Sequence, residues 1–217
     1  MKVEIFSDVV CPWCYIGHHR LRQAVRAFDG DVEVVHRPFQ LDPDGVSGGE
    51  PLLRALEHKF GGADRVAQMT GHVTGVAAQD GLELRFDRAV AANTLEAHRL
   101  IWLAGRAGRD GDMADRLFRA HFTDGLDVGD PATLAKLAAE TGVEDTGEGG
   151  EQVRAELARA RALGVRAVPL FLFEEKFAVS GAQPAETLVA ALREVEARTA
   201  QEAAPAGGDC DDGACAV

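Results

Sequence analysis

The sequence predicts an α/β fold in which a β-α-β opening and a β-β-α closing are separated by an all-helical insertion. Three observations carry this. Residues 2–7 alternate as a buried strand does, and a helical spacing and a second apolar run follow. Pro51 to Thr141 shows helical patterns and no convincing strand. Strand character returns only at Leu170-Phe171-Leu172-Phe173.

In chain order, Leu21, Val25 and Phe28 stand at helical spacing after the first strand, and Val32-Glu33-Val34-Val35 makes a second strand that Pro38 ends. This first part of the α/β unit covers residues 1–40. The turn cluster Leu41-Asp42-Pro43-Asp44-Gly45 opens the insertion, 41–149. Within it Pro51 suits a first helical turn, and residues 89–104 read as an Ala/Leu-rich helix. Met113, Leu117 and Phe118 mark another apolar stripe. Asp130-Pro131 is a cap with proline at the first helical position, and Gly142 closes that helix. The second part of the α/β unit, 150–200, has a helix from about Glu151 to Gly164, the strand Leu170–Phe173, a turn at Glu174-Glu175, the strand Phe177-Ala178-Val179 and a helix from Pro184. Residues 201–217 form an Ala/Gly/Asp-rich tail, expected to be flexible, with a second cysteine pair.

Acidic residues outnumber basic ones by 35 to 23, a formal net charge of −12. A field of that sign repels phosphate backbones and anionic lipid, so neither nucleic acid nor membrane is an expected partner. Met1-Lys2 leads into Val3-Glu4-Ile5-Phe6 without the apolar core of a signal peptide, and no apolar run is long enough to span a bilayer; a cytoplasmic protein is expected. The 4 cysteines fall in two close pairs, Cys11/Cys14 and Cys210/Cys215. In a reducing compartment that spacing points to redox chemistry or metal rather than to a disulfide scaffold.

Cys11-Pro12-Trp13-Cys14 follows a strand and opens a helix. Thiolate is the reactive form of cysteine, and a helix N-terminus favours it through unpaired N–H groups and the helix dipole. Cys14, one turn on, is placed to attack a mixed disulfide formed at Cys11. Pro12 has no N–H to leave unpaired there, and Trp13 shapes the surroundings of the thiols. The alternatives are a zinc half-site completed by Cys210 and Cys215, or a structural disulfide; the strand-turn-helix context favours redox chemistry without metal or other cofactor. Val168-Pro169 precedes the strand Leu170–Phe173. A cis peptide there would present the Val168 backbone to an extended substrate beside Cys11; the alternative is an ordinary trans proline at a strand start.

These features, with Phe6-Ser7-Asp8-Val9-Val10-Cys11-Pro12-Trp13-Cys14-Tyr15-Ile16-Gly17, Asn93-Thr94 with Ala97-His98-Arg99, Leu117-Phe118-Arg119-Ala120 with Phe122, and Phe177-Ala178-Val179-Ser180-Gly181-Ala182-Gln183, resemble the DsbA family of thiol–disulfide oxidoreductases, and within it the FrnE-like branch. The likeness runs to about Arg198. It implies a thioredoxin-like fold split by a helical insertion, Cys11 as nucleophile, Cys14 as resolving thiol and Pro169 as a cis proline. The chain departs from the family pattern at Ala167, where glycine is familiar, and at Leu170, where threonine is common. The acidic residue that DsbA carries in its first strand aligns with Ile5, so that proton-handling role is not carried over; Glu4 is expected to face the other way.

The remaining candidates are weaker. Cys210-Asp211-Asp212-Gly213-Ala214-Cys215 could close a short disulfide and relay electrons to Cys11/Cys14; an idle tail and a metal role are the alternatives. His18 shares a helix face with Cys14 and is expected to be solvated. His98 is expected to be structural. His58, His72 and His121 lack metal-ligand spacing, and the glycine clusters at 45–49 and 147–150 do not follow strands as a dinucleotide site requires.

The expected activity is dithiol–disulfide exchange on protein or peptide substrates, reducing or isomerising them under oxidative stress, with glutathione or thioredoxin as electron donor. The alternative is a glutathione-dependent small-molecule isomerase or transferase of the kappa-class type, which places serine where Cys11 stands and lacks the second cysteine.

Overall fold

The computed structural model describes residues 1–203. Four strands and two helices form the opening and closing segments as expected: β1 (Lys2–Ser7), α1 (Pro12–Ala27), β2 (Glu33–Pro38), then, after the insertion, β3 (Leu170–Phe173), β4 (Phe177–Ser180) and α8 (Ala185–Ala203). The insertion carries α2 (Leu52–Phe60), α3 (Ala63–Gln79), α4 (Leu95–Gly105), α5 (Asp110–Arg119), a π-helical turn at Ala120–Asp124 and α6 (Pro131–Thr141); α7 (Gly150–Ala162) leads back to the sheet.

The strands order β2-β1-β3-β4. β1 and β2 are parallel, with Ile5 opposite His36, and α1 supplies the crossover that a parallel pair needs. β3 runs antiparallel to both β1 and β4. The two-residue periodicity of β1 divides its side chains between two layers. Val3 and Ile5 pack with Leu21, Phe171, Leu188 and Leu192 under α1 and α8. Phe6 faces Ala160 and Val165 of the α7 side. Glu4 points to that second side, as the alternation required, and is fully buried there between Arg37 and Arg159.

The insertion has its own apolar centre, built on Leu100, Met113, Leu117, Phe118, Phe122 and Leu137, and it is continuous with Cys14, Tyr15 and Ile16 of α1. Tyr15 stacks on Phe118 at 5.2 Å and on Phe122 at 6.2 Å. The first turn of α1 is therefore packed as part of the insertion, while its later turns belong to the sheet.

The helix expected over 89–104 starts later, at Leu95. Residues before it are extended: Pro51 and Val90 form a β-bridge, with Leu52 N–H donating to Ala89 O and Ala91 N–H to Glu50 O. Asn93 then closes the connection from β2, its amide donating to Pro43 O and Gly45 O and its Oδ1 accepting from Leu95 N–H. Alanine content suggested helix; these backbone pairings with the 43–51 segment take precedence.

Candidate active site

Cys11 is the N-cap of α1 and Pro12 its first residue. The turn is closed by Cys11 N–H donating to Asp8 O at 3.0 Å, while Cys11 O accepts from Cys14 N–H at 3.0 Å and from Tyr15 N–H at 3.2 Å. Both cysteines are free thiols. Cys14 has no exposed surface, whereas Cys11 keeps 5%, so Cys11 alone can be reached from outside. Burial pushes the Cys14 thiol well up, and the hydrogen bond to Cys11 and the charge of Cys11 add to that. Cys14 is thus held in the protonated form.

The Val168–Pro169 peptide bond is cis. Cys11 Sγ lies 4.0 Å from Val168 O. The ladder between β3 and β4 begins at Leu170, so the Val168 main chain takes no part in it. Trp13 is half-buried and its ring meets that of His72 on α3, centroids 5.8 Å apart. The sequence-predicted residues Cys11, Pro12, Trp13, Cys14, Val168 and Pro169 are brought together at one place. Cys210 and Cys215 lie outside the described residues. Among the described residues no group of three or more His, Cys, Asp or Glu side chains gathers as a metal site would need.

His18, expected to be solvated, is buried. Its Nδ1 is 3.1 Å from His36 Nε2, and His36 Nδ1 is 2.8 Å from Asp110 Oδ2. Helix periodicity put His18 beneath Cys14 but gave no sign that β2 and α5 cover that face. His98 is structural as expected, buried with Nε2 3.0 Å from Phe39 O.

In the sequence Gly17 and Asp8 stand out only within a longer family-like stretch, and His121 only as lacking metal-ligand spacing. Gly17 lets Pro169 approach α1. Asp8 is fully buried, with Oδ2 accepting from Leu41 N–H at 2.8 Å. His121 is fully buried on the π-helical turn. An acid set between Phe6 and Val9-Val10 was a readable signal for Asp8; a π-helical turn leaves no sequence pattern that would reveal His121.

A paired dithiol at the start of the helix after the first strand, facing a cis-proline loop across a sheet of this order, defines a thioredoxin-class protein with an inserted helical unit. The model of the DSBA-like thioredoxin domain matches residues 2–193, and the chain belongs to that family of DsbA-like oxidoreductases. The crystal structure of a probable DsbA oxidoreductase from Streptomyces coelicolor is similar at a TM-score of 0.83 and 35% identity, over 91% of this chain and 90% of that one. The fold is also shared with a 2-hydroxychromene-2-carboxylate isomerase, at a TM-score of 0.67 and 13% identity over 94% of this chain and 100% of that one. The cytosolic disulfide reductase DsbM of Pseudomonas aeruginosa, in its structure with GSH, is similar at a TM-score of 0.55 and 22% identity over 93% and 98%. At those identities the last two show the fold alone. Among the described residues no helix is long and apolar enough to cross a membrane.

Proposed function

We propose that this protein is a dithiol–disulfide oxidoreductase acting on protein or peptide disulfides. Cys11 attacks a substrate disulfide, and Cys14 resolves the mixed disulfide, releasing the reduced product. The observation that carries this is the 4.0 Å approach of Cys11 Sγ to Val168 O, next to a main chain left out of the β-ladder. A substrate strand laid along Val168 would exchange backbone hydrogen bonds with it and bring its own sulfur to Cys11. The buried, protonated Cys14 suits the second step, since it cannot compete for the incoming disulfide.

We assign the direction as reduction or isomerisation in the cytoplasm, with glutathione or thioredoxin returning electrons. The glutathione-bound DsbM structure, a relative by fold, makes glutathione the first donor to try. Turnover of insulin disulfides tests the reading: Cys11→Ser should abolish it, and Cys14→Ser should accumulate a mixed disulfide on Cys11. Insulin reduction by the Cys11→Ser protein would overturn it. Equilibration with glutathione sets the direction: a potential of roughly −220 to −300 mV goes with reductase or isomerase action, and one near about −120 mV with an oxidant.

A further inference from the structure

A substrate strand paired with Val168 delivers its sulfur to Cys11 only as accurately as Val168 itself is placed. The loop must therefore be held at a fixed distance from α1. Pro169 rests on Gly17 of α1. Its carbonyl accepts from Gly181 N–H at 2.9 Å, and the turn carrying Gly181 is closed by Gln183 N–H donating to Gly181 O at 2.8 Å and Gln183 Nε2 to Ser180 O at 2.9 Å. Ser180 is also the residue of β4 that pairs with Leu170, so the 180–183 turn and the cis-proline loop are tied together.

One side chain fastens that pair of loops to the rest of the site. Arg20 lies three residues past Gly17, on the same face of α1. Its Nη1 donates to Ala182 O at 2.7 Å and its Nε to Asp80 Oδ2 at 2.8 Å. Asp80 is the C-cap of α3, the helix whose His72 meets Trp13. The guanidinium thus joins three segments: the helix of the thiols, the insertion on the Trp13 side, and the turn beside the cis-proline loop. Ala182, Val168 and Trp13 all pack against one apolar cluster. The side chains of Arg20 and Asp80 are only 13% and 16% exposed. A pair so far withdrawn from water loses in hydration much of what it gains in attraction, and apolar residues of the same size would seal the joint as firmly. What they would not supply is direction. The planar guanidinium fork bonds two acceptors at fixed angles, one on each wall of the site.

We propose that Arg20 is a positioning residue for polypeptide substrates: by bonding Asp80 and Ala182 at once, it sets the gap between the insertion and the Val168 loop in which a substrate strand lies. This rests on the reading of Val168 as the substrate's main-chain partner. The consequence is selective. A disulfide whose main chain pairs with Val168 depends on Arg20. A disulfide without amide groups needs only the thiols and does not. Loss of Arg20 removes the preference for polypeptides and leaves the reactivity of Cys11 itself.

The test mixes the reduced full-length chain with two oxidants in single turnover. One is a short unstructured peptide dimerised through its one cysteine; the other is bis(2-hydroxyethyl) disulfide, which offers an S–S bond without a main chain. Each reaction oxidises Cys11 and Cys14 to their disulfide and reduces the added disulfide to two thiols. Samples are quenched in acid and alkylated, and the Cys11–Cys14 disulfide is read by mass spectrometry, apart from Cys210 and Cys215. Relative to dithiothreitol, which measures the intrinsic reactivity of each oxidant, the unaltered protein should favour the peptide by about tenfold. Arg20→Met should slow the peptide reaction about tenfold and leave the hydroxyethyl reaction within about twofold, and Arg20→Lys should recover part of the loss. Asp80→Asn, which keeps the Ala182 bond, should slow the peptide reaction alone, by about threefold. Equal effects on both oxidants in folded Arg20→Met, no effect included, would overturn the proposal. So would peptide rates unchanged in both Arg20→Lys and Asp80→Asn, the conservative changes that decide the matter if Arg20→Met does not fold. An unaltered protein with no preference for the peptide would instead overturn the role of Val168, and this inference with it.

Discussion

Gly17 and Pro169 meet across the site: a Cβ built on Gly17 would stand 2.8 Å from Pro169 Cγ and 3.2 Å from Phe171 Cζ. α1 can lie against the loop beside Cys11 only because position 17 has no side chain. Pro169 is a ring fixed to the main chain and Phe171 is fully buried, so neither can swing aside.

Gly17→Ala should therefore lower both stability and activity. Overpacking costs about 1–3 kcal/mol, which outweighs the gain of about 1 kcal/mol from alanine in a helix. The melting temperature should fall, and kcat/KM on a protein disulfide should drop several-fold as the loop is pushed from Cys11. A variant as stable and active as the parent would show that the loop yields freely.

Stability should fall on mild acidification. Burial lowers His18 to about 4, partly opposed by Asp115 and reinforced by His36, and burial lowers His121 to about 4 as well. Each has an ordinary value of 6.5, so between there and about 4 the unfolded chain binds protons that the folded one refuses. Stability present above pH 6.5 is lost as pH falls through that window, by up to about 3 kcal/mol for each histidine. Urea midpoints from pH 7.5 to 4.5 measure it, and His18→Gln should flatten the decline. A midpoint constant over that range would contradict the burial of both rings.

Glu4 should act at lower pH. Its burial would raise the carboxyl, but hydrogen bonds from Arg159 and Arg37 prevail and hold it below 4.5. Its contribution is present above its unfolded value and lost as pH falls through the depressed folded one, after the histidines have charged. Glu4→Gln leaves the two guanidiniums facing a neutral partner. Because those arginines are partly exposed, the loss should be about 2 kcal/mol, below that of a fully buried pair. Denaturant unfolding at pH 7 checks it, and insulin reduction should change little, since Glu4 lies on the α7 side of the sheet.

Trp13 should matter through its contact with His72 on α3. Trp13→Ala removes a ring that joins the thiol turn to the insertion, and should raise KM for a protein disulfide more than it lowers kcat. Equal effects on both would assign Trp13 to the chemistry rather than to substrate contact.

β1 was legible to the residue because Val3, Ile5 and Phe6 around Glu4 alternate well enough for a buried strand, and β3 because four apolar residues follow a proline. The thiol turn was legible because Cys-Pro-Trp-Cys stands between strand and helix signals. What escaped was polar and buried. His18 lies on a helix covered on both sides, and amphipathic reasoning assumes one wet face. Asp8 stands in a loop just after β1, and nothing local announces that a π-helical turn will bury His121. The start of α4 was misplaced because the pairing of Pro51 with Val90 is a long-range contact that alanine content cannot foresee.

The contact between Cys11 and Val168 spans 157 residues of chain. At a synthesis rate of about 5–20 residues per second, roughly 8 to 30 s pass between the making of the thiol pair and the making of the loop that faces it. Through that interval the nascent chain carries two cysteines without their finished surroundings, open to capture by any disulfide nearby. An oxidoreductase built in this order is, for the first part of its life, a client for the kind of chemistry it will later perform.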